Sequence, residues 1–251
     1  IETELTPDHQ VFIVELGEYY PGDIAQLANL IQPDFGILTP VGRQHLSRMK
    51  SVETIAKTIG ELLEYFEQKN AKSDTSQQKP LPIISAIENQ PYFGNRVDYY
   101  GIRQKSNSAP IPWSISKAKV TRAGTEVEIQ SPDNEVFSFF TPLYGAHQCS
   151  NALPAFWLAN SIKTLEEPIS LKKVAQSAAT MPYIYQRHEP HFAANDVLIL
   201  DNSYNTNPEA FAASLNLLAE LKPSRSIVIT LGFVELGDLA QSIHTELGKT
   251  L

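Results

Sequence analysis

Ser51-Val52-Glu53-Thr54-Ile55-Ala56-Lys57-Thr58-Ile59-Gly60-Glu61-Leu62-Leu63-Glu64-Tyr65-Phe66 is the most regular stretch of the chain. Val52, Ile55, Ile59, Leu62, Leu63 and Phe66 recur at three- and four-residue spacing, which lines one face of a helix with apolar side chains, and Ser51 stands where a cap belongs. Working outward, residues 35–39 read as a short strand and residues 22–31 as a helix with Ile24, Leu27, Ala28 and Ile31 on one face. Residues 11–16, Val-Phe-Ile-Val-Glu-Leu, read as a buried strand ending at Gly17. Strand, helix, strand, helix implies a parallel α/β sheet.

Downstream the polar residues 70–80 read as a loop and residues 81–87 as a strand. Between 91 and 144 the texture changes to short β runs at 113–120, 125–130 and 136–140. Ala123-Gly124 and Pro132-Asp133-Asn134 supply the turns, so an antiparallel annex on the main sheet is expected. Helical patterns return at 150–162 and 170–179. A connection rich in Pro and Tyr, 181–190, divides the chain into 1–183 and 184–251. Beyond it come a strand at 197–201, a helix at 208–221 opened by Pro208, a strand at 226–231 and a helix at 238–247. The expected fold is a mostly parallel sheet flanked by helices, with the annex, followed by a partial Rossmann-like unit. Two strand–helix pairs are too few to close an independent domain, and the chain opens without Met, so a piece of a longer protein is expected.

Composition narrows the function classes. With 251 residues, 42% hydrophobic and 19% charged, the chain can bury a core and is no disordered or low-complexity polypeptide. A net charge of -8 gives no general footprint for nucleic acid. No apolar run approaches the ~20 residues of a membrane span, and the single Cys149 excludes an internal disulfide, so a cytoplasmic protein is expected; separately, a monomer is expected.

Ligands of parallel sheets gather at strand ends. Glu15 closes the first expected strand and His45, in Val41-Gly42-Arg43-Gln44-His45-Leu46, follows the second; together they could hold a divalent cation over a phosphate, or be a helix cap and a surface histidine. Asp201-Asn202-Ser203-Tyr204-Asn205-Thr206-Asn207-Pro208 opens a helix, where free N–H groups suit an anion, although capping alone accounts for several of these residues. Arg187 at the junction could grip a phosphate or form a surface ion pair. Asn151, in Gly145-Ala146-His147-Gln148-Cys149-Ser150-Asn151-Ala152, could meet a base edge or cap a helix. Glu235, in Leu231-Gly232-Phe233-Val234-Glu235-Leu236-Gly237, reads as a solvated loop acid, and His188, His191 and His244, lacking metal-ligand spacing, as surface histidines.

Taken in order, several motifs resemble the Mur ligases. They are Glu15-Leu16-Gly17 with Pro21-Gly22-Asp23-Ile24, Val41-Gly42 with His45-Leu46, and His147 with Asn151-Ala152. Arg187 with Glu189, Ser203-Tyr204-Asn205 with Asn207-Pro208, and Glu235-Leu236-Gly237 complete the set. Within the family the branch that adds D-alanyl-D-alanine to a UDP-muramoyl tripeptide is the most similar. The resemblance implies an ATP-dependent amide ligase with magnesium, working through an acyl phosphate. It implies Glu15 and His45 as magnesium ligands, with His45 and Arg187 catalytic. Asn151 would meet the adenine, Arg187 the phosphates, and Asn202, Asn205 and Asn207 the nucleotide side of an interdomain cleft.

Four departures accompany it, the first being Gln148 where the family places an asparagine after its histidine. The family's Gly-rich loop ending in Lys-Ser/Thr should precede Glu15, and residues 1–10 hold none. The lysine that the family carbamylates falls at Ile59, with Lys57 two positions away on another helix face. The ribose-binding acid falls at Asn202 beside Asp201. An impaired homologue retaining a nucleotide- or protein-binding scaffold, or a folylpolyglutamate synthase-like ligase, are the alternative readings.

Overall fold

Ile83 and Ile84 are adjacent in sequence and both buried, yet they belong to different apolar clusters, and so do Tyr99 and Tyr100. Successive strand residues point to opposite faces, so both strands are covered on two sides. The computed structural model describes residues 5–72, 81–103, 111–162 and 169–250. In chain order the elements are α1 (Asp23–Ile31), β1 (Gly36–Leu38), α2 (Leu46–Met49), α3 (Val52–Ala71), β2 (Ile83–Ala86), α4 (Gln90–Phe93) and β3 (Asp98–Ile102). Then come β4 (Trp113–Thr121), β5 (Gly124–Gln130), β6 (Val136–Thr141), α5 (Ala146–Cys149), α6 (Leu153–Ser161) and α7 (Leu171–Ala179). The last are β7 (Glu189–Phe192), β8 (Leu198–Asp201), α8 (Pro208–Leu221) and α9 (Ala240–Thr250).

β1 to β6 form one sheet in sequence order, parallel from β1 to β4 and antiparallel from β4 to β6. The expected annex is therefore the far half of the main sheet, and β3, within the stretch expected to be antiparallel, is parallel to both neighbours. One face carries Ile24 and Ala28 of α1 with Leu62, Leu63 and Phe66 of α3; the other carries Leu153 and Phe156 of α6 and Ala175 of α7. A Cβ on Gly36 would stand 2.6 Å from the Phe66 ring, so the bare glycine lets α3 lie close on β1. Ser51 caps α3 as expected, its hydroxyl accepting from the Thr54 N–H at 3.1 Å. Glu61 of α3 takes the Gly22 and Ala25 N–H groups at 2.7 and 2.9 Å, satisfying the start of α1 from a neighbouring helix.

Two expected strands are not strands. Residues 11–16 join no ladder; Ile13 is 81% exposed, and only Leu16 leans on the core. Residues 226–231 are likewise unpaired, with Ile229 94% exposed. Both runs have strand composition, but a strand exists only by pairing, and composition does not supply the partner. Leu198–Asp201 is a strand, but it pairs antiparallel with β7 in a separate two-stranded sheet. Residues 73–80, most of the expected loop at 70–80, lie outside the described residues, and α3 runs on to Ala71. A third cluster joins the two halves of the chain: Leu46, Met49 and Ile55 meet Phe211, Phe233, Leu236 and Ile243. Among the described residues no helix is long and apolar enough to cross a membrane.

Candidate functional site

The loop after β1 is pinned from below. Buried Asn89 donates from Nδ2 to the Thr39 carbonyl at 2.9 Å and accepts the Val41 N–H on Oδ1 at 2.7 Å, an amide used at both ends. The next residues carry the contacts to the second unit. Arg43 Nε donates to Glu209 Oε1 at 2.6 Å and its backbone N–H to Oε2 at 3.1 Å, while a Cβ on Gly42 would meet Asn207 Nδ2 at 2.9 Å. Glycine at 42 thus permits the approach of the loop that opens α8.

His45 sits at the start of α2 with a left-handed φ of 52°. Its Nδ1 is 2.6 Å from Glu235 Oε2, and its ring lies 4.9 Å from that of Tyr19, over which the Arg48 guanidinium stands at 4.4 Å. The structure joins His45 to Glu235 and not to Glu15, which is exposed and makes no hydrogen bond or ion pair among the described residues. Glu235, expected as a solvated loop acid, is therefore a contact between units.

At the other end of this junction Arg187 donates to the Asn205 carbonyl at 3.1 Å and stands 4.7 Å over the Tyr204 ring, so the structure brings Arg187 and Asn205 together. It forms no ion pair among the described residues. Asn207 accepts the Ala210 N–H at 2.8 Å as the cap of α8. Asn202 reaches Ser214 Oγ at 3.4 Å, and Asn151 is exposed in the turn before α6.

His188, expected at the surface, is buried. Burial first, then the neighbouring His147 and Arg187, pull its pKa down to about 4. Its hydrogen bonds fix the tautomer: Gln148 Nε2 donates to Nδ1 at 2.7 Å, leaving Nε2–H to donate to Ser214 Oγ at 2.8 Å, and the Ser214 hydroxyl passes on to the Ala210 carbonyl at 3.0 Å. His147 packs edge-on at 5.0 Å, and burial lowers its pKa too. His244 is also no free surface histidine: Nδ1–H donates to the Ala240 carbonyl at 2.7 Å and Nε2 accepts the Phe233 N–H at 2.9 Å. Burial pushes the Cys149 thiol up to about 12, which removes it as a nucleophile at neutral pH.

Sequence reasoning missed Asn89, Glu209 and Ser214. Only Glu209 carried a signal, as an acid in the first turn of a helix, and that pattern signals helix polarity rather than a distant partner.

The Mur ligase middle domain model matches residues 2–159, and the chain belongs to the Mur ligase family. It is 27% identical over 250 residues to the UDP-N-acetylmuramoyl-tripeptide--D-alanyl-D-alanine ligase of Escherichia coli K12, a match covering 98% of this chain and 51% of the relative. Among solved structures, MurF ligase from Thermotoga maritima in complex with ADP superposes with a TM-score of 0.72 at 21% identity, over 92% of this chain and 49% of that one. MurF from Acinetobacter baumannii gives 0.74 at 19% identity, over 98% and 50%. The chain spans about half the length of the relatives it matches.

Proposed function

We propose that this chain is the nucleotide-facing part of an ATP-dependent amide ligase of peptidoglycan precursor synthesis, joining D-alanyl-D-alanine to a UDP-muramoyl tripeptide. The observation that carries the reading is the meeting of two motif loops 166 residues apart. Gly42 and Arg43 abut Asn207 and Glu209, with His45 engaged by Glu235 on the same seam. The similarity to D-alanyl-D-alanine ligases over 98% of the chain supports the substrate class. On this reading residues 1–183 form the central ATP-binding domain and 184–251 the start of the C-terminal domain of a cytoplasmic monomer.

In the reaction, ATP phosphorylates the substrate carboxylate, the dipeptide amine attacks the acyl phosphate, and the tetrahedral intermediate collapses with loss of phosphate. Arg187 holds phosphate oxygens, its plane kept in place by Tyr204 and Asn205. Asn202, Asn205 and Asn207 line the nucleotide side and Asn151 faces the adenine. Magnesium is held in such sites by one or two carboxylates and the substrate's own phosphates, and the exposed Glu15 carboxylate, without a partner among the described residues, fits that requirement. When bound it neutralises charge on the transferring phosphoryl group. His45 at the α2 start, steadied by Glu235, would be the weaker, secondary ligand, since magnesium takes oxygen ahead of an imidazole nitrogen.

Ile59 favours a second reading, a scaffold that binds nucleotide or protein without ligating, because that side chain packs in two apolar clusters where the family resemblance places a charged lysine. Phosphate release by the full-length protein separates the two. Release that needs ATP, UDP-muramoyl tripeptide and D-alanyl-D-alanine together is expected. Nucleotide binding without release under all three would establish the scaffold instead.

A further inference from the structure

Chemistry-bearing side chains also converge on the two-stranded ribbon of β7 and β8. Glu189 and His191 are two apart on β7 and leave the same face, and Asp201 of β8 stands directly opposite Glu189 in the ladder. One ligand atom from each lies within 4.8 Å of the other two, with His191 Nε2 4.0 Å from Glu189 Oε2. We propose that Glu189, His191 and Asp201 form a binding site for a divalent transition-metal ion, with zinc(II) the ion that suits the donors.

Two carboxylates and a neutral imidazole supply a charge of about -2, matching a dication. The imidazole nitrogen disfavours magnesium and calcium, which take oxygen ligands, and favours the later first-row ions. Three protein ligands leave a coordination position for water or an exogenous group. Tetrahedral zinc with bonds of ~2.0–2.1 Å sets its ligands about 3.3 Å apart, so the triad must close by roughly 1 Å. His191 is exposed and both acids are only half-buried, so rotation of side chains achieves that without moving the ladder. The carboxylates are already aimed: the Gln186 N–H donates to Glu189 Oε2 at 3.1 Å and the Ser203 N–H to Asp201 Oδ1 at 2.9 Å. Such outer hydrogen bonds orient ligands for a metal, and each carboxylate keeps further lone pairs for the ion. A bound ion would clip β7 to β8 beside the loop that holds Asn202. The site stands independently of the ligase reading.

Zinc chloride titrated calorimetrically into the metal-stripped chain, with Co2+ as a spectroscopic probe of the coordination geometry, tests the site. One equivalent of zinc is expected, insensitive to excess magnesium. His191→Ala and Glu189→Gln should each weaken it by about tenfold or more, since even outer-sphere partners are worth roughly 10–100-fold. His9→Ala should bind as the parent does, and circular dichroism checks that each variant is folded. No zinc binding by the parent chain, or parent-like affinity in both His191→Ala and the nearly isosteric Glu189→Gln, overturns the proposal.

Discussion

His45 and Glu235, 190 residues apart, meet through a 2.6 Å contact between Nδ1 and Oε2, and the Ser47 N–H donates to the Glu235 carbonyl at 2.8 Å. One residue of the second unit is thus held by both side chain and backbone against the loop after β1. The backbone bond survives substitution of either side chain, so the side-chain pair can be isolated. His45 and Glu235 are 28% and 38% exposed, where solvent screens charge, and a coupling of about 0.5–1 kcal/mol is expected. Urea unfolding of His45→Ala, Glu235→Ala and the double variant measures it. Additive losses would show that the pair contributes nothing.

The His188 network makes stability depend on pH. Its folded pKa of about 4 lies below the ordinary 6.5, so the fold favours the neutral ring. The contribution is complete above about 6.5, falls as pH drops from there, and is lost on passing through about 4. A proton on Nδ1 would also face the Gln148 donor, breaking that hydrogen bond. Between neutrality and pH 4 the loss should amount to roughly 1–3 kcal/mol. His188→Gln should flatten this part of the stability profile, leaving the smaller share of His147. Parallel profiles for parent and variant would assign the loss to other groups.

How far the sequence could be read tracks how local each feature is. The bounds of α8 follow from an asparagine cap followed by proline, and the face of α3 from its spacing, both local facts. Residues 11–16 and 226–231 carry the same apolar signature as β2, yet only β2 has strands on both sides. The direction of β8 was illegible for the same reason, since pairing is settled by tertiary neighbours. The candidate positions themselves were legible as motifs, but His45 meeting Glu235, and His188 lying buried between Gln148 and Ser214, join residues 190, 40 and 26 positions apart. No spacing rule reaches across such distances.

Arg187 stands over the Tyr204 ring and donates to the Asn205 carbonyl, an arrangement that uses both the plane and the charge of a guanidinium. If it grips ATP phosphates, Arg187→Lys in the full-length protein keeps the charge but loses the stacked fork. The Michaelis constant for ATP should then rise by about 10–100-fold, the equivalent of one hydrogen bond to a charged group. Arg96→Ala, which breaks the pair with Glu67 away from this junction, should leave it unchanged. An unaltered ATP titration in Arg187→Lys would reduce Arg187 to a clasp for the Tyr204 loop.

Ile59 packs against both the α1–α3 cluster and the cluster joining the two units, so it braces the face of α3 where these cores meet. Ile59→Lys exchanges that contact for an ammonium group. The residue is only partly buried, so the stem can lie along the apolar surface with its charge near water. The cost should be about 1–3 kcal/mol in denaturant unfolding. Ile59→Ala should cost about 2 kcal/mol by removing the brace without adding charge, the low end of the range for buried isoleucines. A lysine is the group that would be carbamylated, and none stands here, so the activity of the full-length protein should not respond to added bicarbonate. Lys57 is exposed on another face of α3 and should not substitute for it. Bicarbonate dependence in the parent protein that disappears in Lys57→Ala would give Lys57 the role instead and reduce Ile59 to a packing residue alone.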